Sequence, residues 1–239
     1  MTGIFWAAEA VAFILFFPIP LFARRFGKFL PADAGTALVR SFHIPRFAAS
    51  NSPVLRARRK RLWMRLLGAG ALWGVAGAAF LYFLFAAGYP LALLVLLWLG
   101  ALMACVDERL HLLPDVLTVP LLIAGFFAAA NFCGIVTAGE SAAGAVFGFA
   151  LPTVTAAIMT PFLPRSLGGG DFKMMTALGA WLGVAGLAVA VLASVVFFIL
   201  IAAAHKNREG PYGASLFLGT LTVLVLRCFE PAAFLFVVV

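Results

Sequence analysis

Residues 172–204 read FKMMTALGAWLGVAGLAVAVLASVVFFILIAAA, an apolar run whose one charged residue is Lys173. A transmembrane helix needs about 20 apolar residues at a rise of about 1.5 Å per residue, so this run is too long for one span and short for two. Gly183 and Gly186 lie near its middle, and glycine is typical of a turn. We therefore predict two membrane helices joined by a tight hairpin near Gly183 to Gly186.

The rest of the chain has the same character. Of its 239 residues 64% are hydrophobic and only 11% are charged, whereas soluble domains carry about 25% charged residues. This composition argues against a soluble enzyme, a nucleic-acid-binding domain and a disordered chain. It predicts an all-α polytopic membrane bundle of about eight helices, forming a single domain over residues 1–239. The apolar runs lie near residues 3–22, 66–87, 90–106, 116–134, 141–162, 172–186, 188–204 and 213–233.

The basic residues predict an orientation. Eleven of the 17 lie between Arg24 and Arg65, and short cytoplasmic loops collect Lys and Arg. The loop at about 23–65 is therefore predicted to be cytoplasmic, with the N-terminus outside. It either has no role beyond orientation or serves as a surface that docks a partner or contacts anionic membrane lipid. Arg227 is the exception, because it falls near the outer end of the last span, where it either snorkels or marks a misplaced boundary.

The cysteines indicate neither a metal site nor a disulfide framework. Cys105, Cys133 and Cys228 lie far apart in apolar runs, and the chain has no CxxC pair. We predict three buried thiols, no metal and no cofactor.

The nine acidic residues are few enough for their positions to be informative. Asp107 closes the third predicted span and Asp171 opens the sixth, so the two intervening spans return both to one membrane face. Two carboxylates held close together share one proton, and one can then act as a base on water while the other acts as an acid on a carbonyl. Either aspartate alone also has a purely structural interpretation, and Asp171 in particular can cap a helix beginning at Phe172.

The residues around each aspartate favour a functional site over a purely structural role. Gly168, Gly169 and Gly170 precede Asp171 and allow positive φ and a close approach of another chain segment. Pro114 is expected to fix the entry of the next helix, with Asp115 near its start. His111 lies one helical turn after Asp107, where it either pairs with that carboxylate or is an interfacial histidine without a role.

Two motifs carry a family resemblance. Residues 107–120, DERLHLLPDVLTVP, resemble the first aspartate motif of prepilin peptidases (type IV leader peptidases), and residues 168–173, GGGDFK, resemble the GxGDxK signature of that family. Residues 174–183 and 210–213 are also similar, so the resemblance covers roughly residues 90–220. The LLPDVLT element distinguishes this branch from presenilin-like GxGD proteases.

The resemblance implies an intramembrane aspartic protease with Asp107 and Asp171 as the catalytic dyad. Gly168, Gly169, Gly170 and Lys173 would shape the second motif, while Pro114 and Asp115 would support the first.

The resemblance also implies a substrate and a location. The substrates would be type IV prepilins or pseudopilins, cut after the leader glycine at the cytoplasmic face of the bacterial inner membrane. Many members of the family also methylate the new N-terminus and carry paired CxxC motifs in the loop that corresponds to residues 23–65. That loop contains no cysteine here, which predicts a peptidase with weak or no methylation.

Two other classes of function remain open. A transporter would use Asp107 and Asp171 to bind a proton or cation near the inner mouth, and a non-catalytic subunit of a secretion machine would need neither. The chain contains no HExxH and no GxSG, which disfavours a zinc metalloprotease and a rhomboid-like serine protease.

Overall fold

The computed structural model describes residues 2–29, 37, 41, 53–159, 168–205 and 212–229. Within these ranges regular structure is helical and no strand occurs, so the all-α prediction is confirmed. The helices are α1 Thr2–Phe16, α2 Ile19–Phe29, α3 Pro53–Ala86, α4 Leu93–Leu110, α5 Asp115–Ala130, α6 Ala138–Met159, α7 Gly169–His205 and α8 Tyr212–Phe229. They form two compact units, Met1–Phe83 and Leu84–Val239.

The chain is a multi-pass membrane protein, but the count of eight spans is not confirmed. Five described segments are long and apolar enough to cross a bilayer: Glu9–Lys28, Lys60–Ala86, Ala138–Met159, Gly169–Ala203 and Tyr212–Phe229. Helix α4 carries three charged residues at its end, Asp107, Glu108 and Arg109, and α5 has only 16 residues.

The basic loop predicted at 23–65 is helical at both of its described ends. Helix α2 continues to Phe29, and α3 begins at Pro53 and runs through the basic cluster into the second apolar run without a break. Helix α2 is amphipathic: Phe22 and Phe26 are buried, whereas Arg24 and Lys28 are exposed. Apart from Ala37 and Ser41, the middle of the loop lies outside the described residues.

Helix α7 has the reversal that its sequence predicts. Gly183 interrupts the helix with φ 70° and ψ −179°, a conformation that an L-residue with a side chain rarely adopts. Gly148 of α6 contacts the carbonyl of Met175 before the break and the side chain of Leu187 after it. These residues would be about 18 Å apart along one straight helix, so the two arms of α7 fold back on each other at Gly183.

Small residues pack α6 against the first arm of α7. The backbones of Gly144 and Gly179 lie in direct contact, and no Cβ would fit at either position. Beside them, the Ser141 hydroxyl donates a 2.7 Å hydrogen bond to the carbonyl of Ala180. Such close backbone approach is typical of helix pairs in membranes, and here it fixes the arm that carries Asp171.

The structure accounts for the exceptional Arg227, near the end of α8. Its guanidinium turns into the protein and donates hydrogen bonds of 3.2 Å to the carbonyl of Ile135 and 2.7 Å to that of Leu182. Leu182 ends the first arm of α7, where helix carbonyls lack partners within the helix. Arg227 therefore caps the hairpin, and neither the snorkelling nor the misplaced-boundary interpretation is needed.

Candidate active site

One cavity in the second unit brings the two aspartate motifs together. It has a volume of about 280 Å³, and both Asp107 and Asp171 line it. The other lining residues are His111, Leu112, Leu113, Gly168, Gly169, Gly170 and Tyr212. Each aspartate lies at an end of its helix, as expected from the order of the spans.

Asp107 is held in the last turn of α4. Its side chain is buried, with 5% of the residue exposed. Its Oδ2 accepts a 2.8 Å hydrogen bond from the backbone N–H of Gly213, in the first turn of α8. Amide donors at a helix N-terminus stabilise a negative charge, so this hydrogen bond offsets part of the cost of burying the Asp107 carboxylate.

Asp171 lies in the first turn of α7, which begins three residues earlier than the sequence predicts. Its Oδ2 accepts a 3.2 Å hydrogen bond from the N–H of Gly168, and its own N–H donates to the Gly168 carbonyl at 3.1 Å. The structural interpretation in which Asp171 is the N-cap of a helix beginning at Phe172 is therefore wrong. Asp171 instead reaches back from the third helical position, as the acidic residue of a capping box does.

The two carboxylates are close enough to interact electrostatically across the cavity. They differ in surroundings, because Asp107 is buried and binds the first turn of a neighbouring helix, whereas Asp171 is partly exposed and binds only within its own turn. A pair of this kind can hold one proton between its members and can polarise a water molecule and a carbonyl at the same time.

Of the three glycines before Asp171, two occupy sites where space is limited, and none has an unusual dihedral angle. Among the described glycines, positive φ occurs at Gly88 and Gly183 and at none of residues 168–170, so the predicted conformational reason is wrong. The predicted close approach is present at Gly170, where a Cβ would lie 2.8 Å from the Cβ of Leu113. A Cβ on Gly168 would lie 3.3 Å from Oδ2 of Asp171, whereas no atom lies within 4 Å of the position that a Cβ on Gly169 would take.

Pro114, Asp115 and Lys173 lie beside the cavity and do not line it. Pro114 precedes α5, which begins at Asp115 as predicted. The Asp115 carboxylate forms a 2.5 Å ion pair with Lys173 Nζ, and the two side chains are 61% and 52% exposed. The pair links α5 to α7, but a solvent-exposed pair of this kind contributes at most about 1 kcal/mol.

His111 ends α4 in a left-handed conformation with φ 50°. Its backbone N–H donates to the Asp107 carbonyl at 2.8 Å, and its imidazole interacts electrostatically with the Asp107 carboxylate. Among the described residues the ion pair of the site joins Asp115 to Lys173, so pairing of His111 with the Asp107 carboxylate stays a prediction.

Sequence reasoning missed Tyr212 and Gly213 as site residues. Tyr212 lines the cavity and Gly213 binds Asp107. In the sequence, residues 210–213 were noted only because they resemble the family. The available signal was Gly213, a glycine at the start of the last apolar run. Within the described ranges no three His, Cys, Asp or Glu side chains gather to hold a metal ion.

Comparison with known proteins gives matches over the same part of the chain. Residues 94–203 match the type IV leader peptidase family. A Klebsiella pneumoniae prepilin leader peptidase/N-methyltransferase is 40% identical over 121 residues, which cover 49% of this chain and 50% of the relative. The protein of the same name from Aeromonas hydrophila is 34% identical over 132 residues, covering 52% and 45%. The one from Escherichia coli (strain K12) is 36% identical over 110 residues, covering 46% and 42%.

The chain thus spans about half the length of the curated relatives it matches. No solved structure matches it. Both aspartate motifs fall inside the matched residues.

Proposed function

We propose that this chain, whose residues 94–203 match the type IV leader peptidase family, is an aspartic endopeptidase that removes the leader from type IV prepilins or pseudopilins. One observation carries the proposal: Asp107 and Asp171, from two separate motifs, line a single cavity. A protease of this class needs two carboxylates at one site, whereas a structural subunit has no use for them there.

In the proposed reaction the two carboxylates have different roles. Asp107, which accepts the Gly213 N–H, begins ionised and takes a proton from the attacking water. Asp171 begins protonated and donates to the carbonyl oxygen of the bond to be cut, so that the water oxygen adds to the carbonyl carbon. The tetrahedral diol then collapses: Asp107 gives its proton to the departing amine nitrogen, the carbon–nitrogen bond breaks, and Asp171 takes a proton back from a diol hydroxyl.

The predicted orientation of the chain supports a cytoplasmic site in the bacterial inner membrane. Eleven basic residues lie between Arg24 and Arg65, in a loop expected to be cytoplasmic, and the predicted order of the spans returns both aspartates to that side. A basic leader would remain in the cytoplasm, with cleavage after its glycine. Because residues 23–65 lack cysteine, we propose a peptidase with weak or no N-methylation, although the relatives' names include that activity.

The test is cleavage of a full-length prepilin by the purified protein, with the product measured by mass spectrometry. We expect Asp107→Asn and Asp171→Asn each to lower the rate by at least about 100-fold. Glu108→Gln should leave it unchanged, because Glu108 is exposed and does not line the cavity. The product mass also reports the cleaved bond and any added methyl group.

Three outcomes would contradict the proposal in different ways. A wild-type cleavage rate in either Asn variant would remove the dyad assignment. A wild-type protein that does not cleave but drives proton flux into proteoliposomes would be a transporter. A wild-type protein that does neither would be a non-catalytic subunit.

A further inference from the structure

A pair of hydroxyl groups borders the catalytic cavity beside the dyad. Tyr212 lines the cavity, and its Oη lies 3.1 Å from Oγ of Ser194, on the second arm of α7. The Tyr212 ring meets the ring of Phe198 edge-on, with 6.0 Å between centroids. Ser194 is fully buried, so this hydroxyl pair is a fixed feature of the cavity wall.

The direction of the hydrogen bond follows from the other partner of Ser194. The Ser194 hydroxyl lies 2.7 Å from the carbonyl of Val191 and donates its single hydrogen there. Ser194 must therefore accept from Tyr212, because a serine hydroxyl has one hydrogen to donate. This leaves the Tyr212 oxygen with a free acceptor site.

Tyr212 also stands at a set distance from the proposed base. The next residue, Gly213, donates its backbone N–H to Asp107, so one short backbone segment holds both the acceptor and the carboxylate. Asp171 lines the same cavity as Tyr212 and Asp107. A peptide bound there at the two aspartates therefore lies beside Tyr212.

We propose that Tyr212 binds the substrate, its hydroxyl oxygen accepting a hydrogen bond from a backbone N–H next to the bond that is cut, with Ser194 as the positioning residue that directs the hydroxyl. The dyad binds a carbonyl and a water, and neither contact determines which peptide bond of the substrate lies at the dyad. An acceptor for a backbone N–H, held at a fixed distance from Asp107, would select that bond. This inference rests on the proposed peptidase function.

Kinetics of three variants test the pair. Tyr212→Phe keeps the ring and its contact with Phe198, and we expect kcat/KM for prepilin cleavage to fall about 10-fold. Ser194→Ala leaves the tyrosine hydroxyl undirected and should cost about 3-fold. The double variant should match Tyr212→Phe alone, because Ser194 acts only through Tyr212.

A matched control and a stability measurement separate this role from a structural one. Thr222→Val removes an α8 hydroxyl that bonds only its own helix, to the Leu218 carbonyl at 3.0 Å, and should retain wild-type kinetics. The thermal unfolding midpoint of Tyr212→Phe should stay within a few degrees of wild type. Wild-type kcat/KM in Tyr212→Phe, or costs that simply multiply in the double variant, would overturn the proposal.

Modified substrates test the contact directly. In a series of peptides, one backbone N–H at a time near the cleaved bond is replaced by an ester oxygen. At one position the replacement should slow the wild type about 10-fold and leave Tyr212→Phe unaffected. If no position shows this coupling, the proposal fails while the peptidase function stands. If the wild type cleaves no prepilin, the peptidase function fails, and the substrate-binding role of Tyr212 fails with it.

Discussion

The backbone N–H of Gly213 donates a 2.8 Å hydrogen bond to Oδ2 of Asp107. This bond joins the first turn of α8 to the last turn of α4, although the two residues are far apart in the sequence. The orientation of the buried carboxylate therefore depends on a residue outside both aspartate motifs.

Gly213→Ala should inactivate the protein without unfolding it. The new Cβ would lie 2.9 Å from Oδ2 of Asp107 and 3.2 Å from Cδ2 of Leu113, so the carboxylate must move. We expect kcat/KM for prepilin cleavage to fall about 10- to 100-fold. Gly139→Ala is the matched control, since no atom lies within 4 Å of its Cβ position. Equal activity of the two variants would contradict the role given to Gly213.

An alanine scan of the three glycines before Asp171 should give a graded result. Gly169→Ala should retain most activity, because its Cβ position is open. Gly170→Ala should lose at least about 10-fold, because its Cβ would lie 2.8 Å from that of Leu113. Gly168→Ala, 3.3 Å from Oδ2 of Asp171, should fall between them. Initial rates of prepilin cleavage measure the order, and a Gly169 variant as impaired as the Gly170 variant would refute it.

The cleavage rate should pass through a maximum as pH is varied. At low pH both carboxylates are protonated and the base is lost, so the rate falls as pH decreases. At high pH both are ionised and the acid is lost, so the rate falls as pH increases. The two limbs report apparent pKa values of the Asp107–Asp171 pair as a whole. A kcat/KM that stays constant throughout the range where carboxylates titrate is incompatible with a shared proton.

Replacing Arg227 should destabilise the protein. Arg227→Leu removes the donors to the carbonyls of Leu182 and Ile135. Leu182 is fully buried, and a buried carbonyl left without a partner costs about 1–3 kcal/mol. We expect a clear fall in the thermal unfolding midpoint in detergent, and a smaller fall for Arg227→Lys, which keeps one donor group. Arg65→Leu removes an exposed charge and should change the midpoint little. Equal midpoints for Arg227→Leu and Arg65→Leu would show that the cap contributes nothing.

The sequence was sufficient for features that depend on local pattern. Apolar run lengths predict the helices, the glycine near the middle of residues 172–204 predicts the reversal at Gly183, and Pro114 predicts the start of α5. Parity of the spans predicts that Asp107 and Asp171 face the same side, and the comparisons confirm the resemblance to the type IV leader peptidases. These inferences use periodicity and order along the chain.

The features that escaped prediction depend on packing between helices. No local pattern distinguishes Gly169 from Gly170, because the difference is the position of Leu113. Gly213 and Tyr212 gain their roles only where α8 meets α4 and the second arm of α7. The count of eight spans stays a prediction, because α4 ends in three charged residues and α5 is short.

The hairpin in α7 has a consequence for how the protein is made. A single residue, Gly183, joins the two arms, and residues 174–204 contain no charged side chain. No polar loop has to be translocated between the arms, so they can leave the ribosome and enter the bilayer as one preformed unit. Asp171, which lines the cavity, and Ser194, which bonds Tyr212 in its wall, can then enter the membrane in one step.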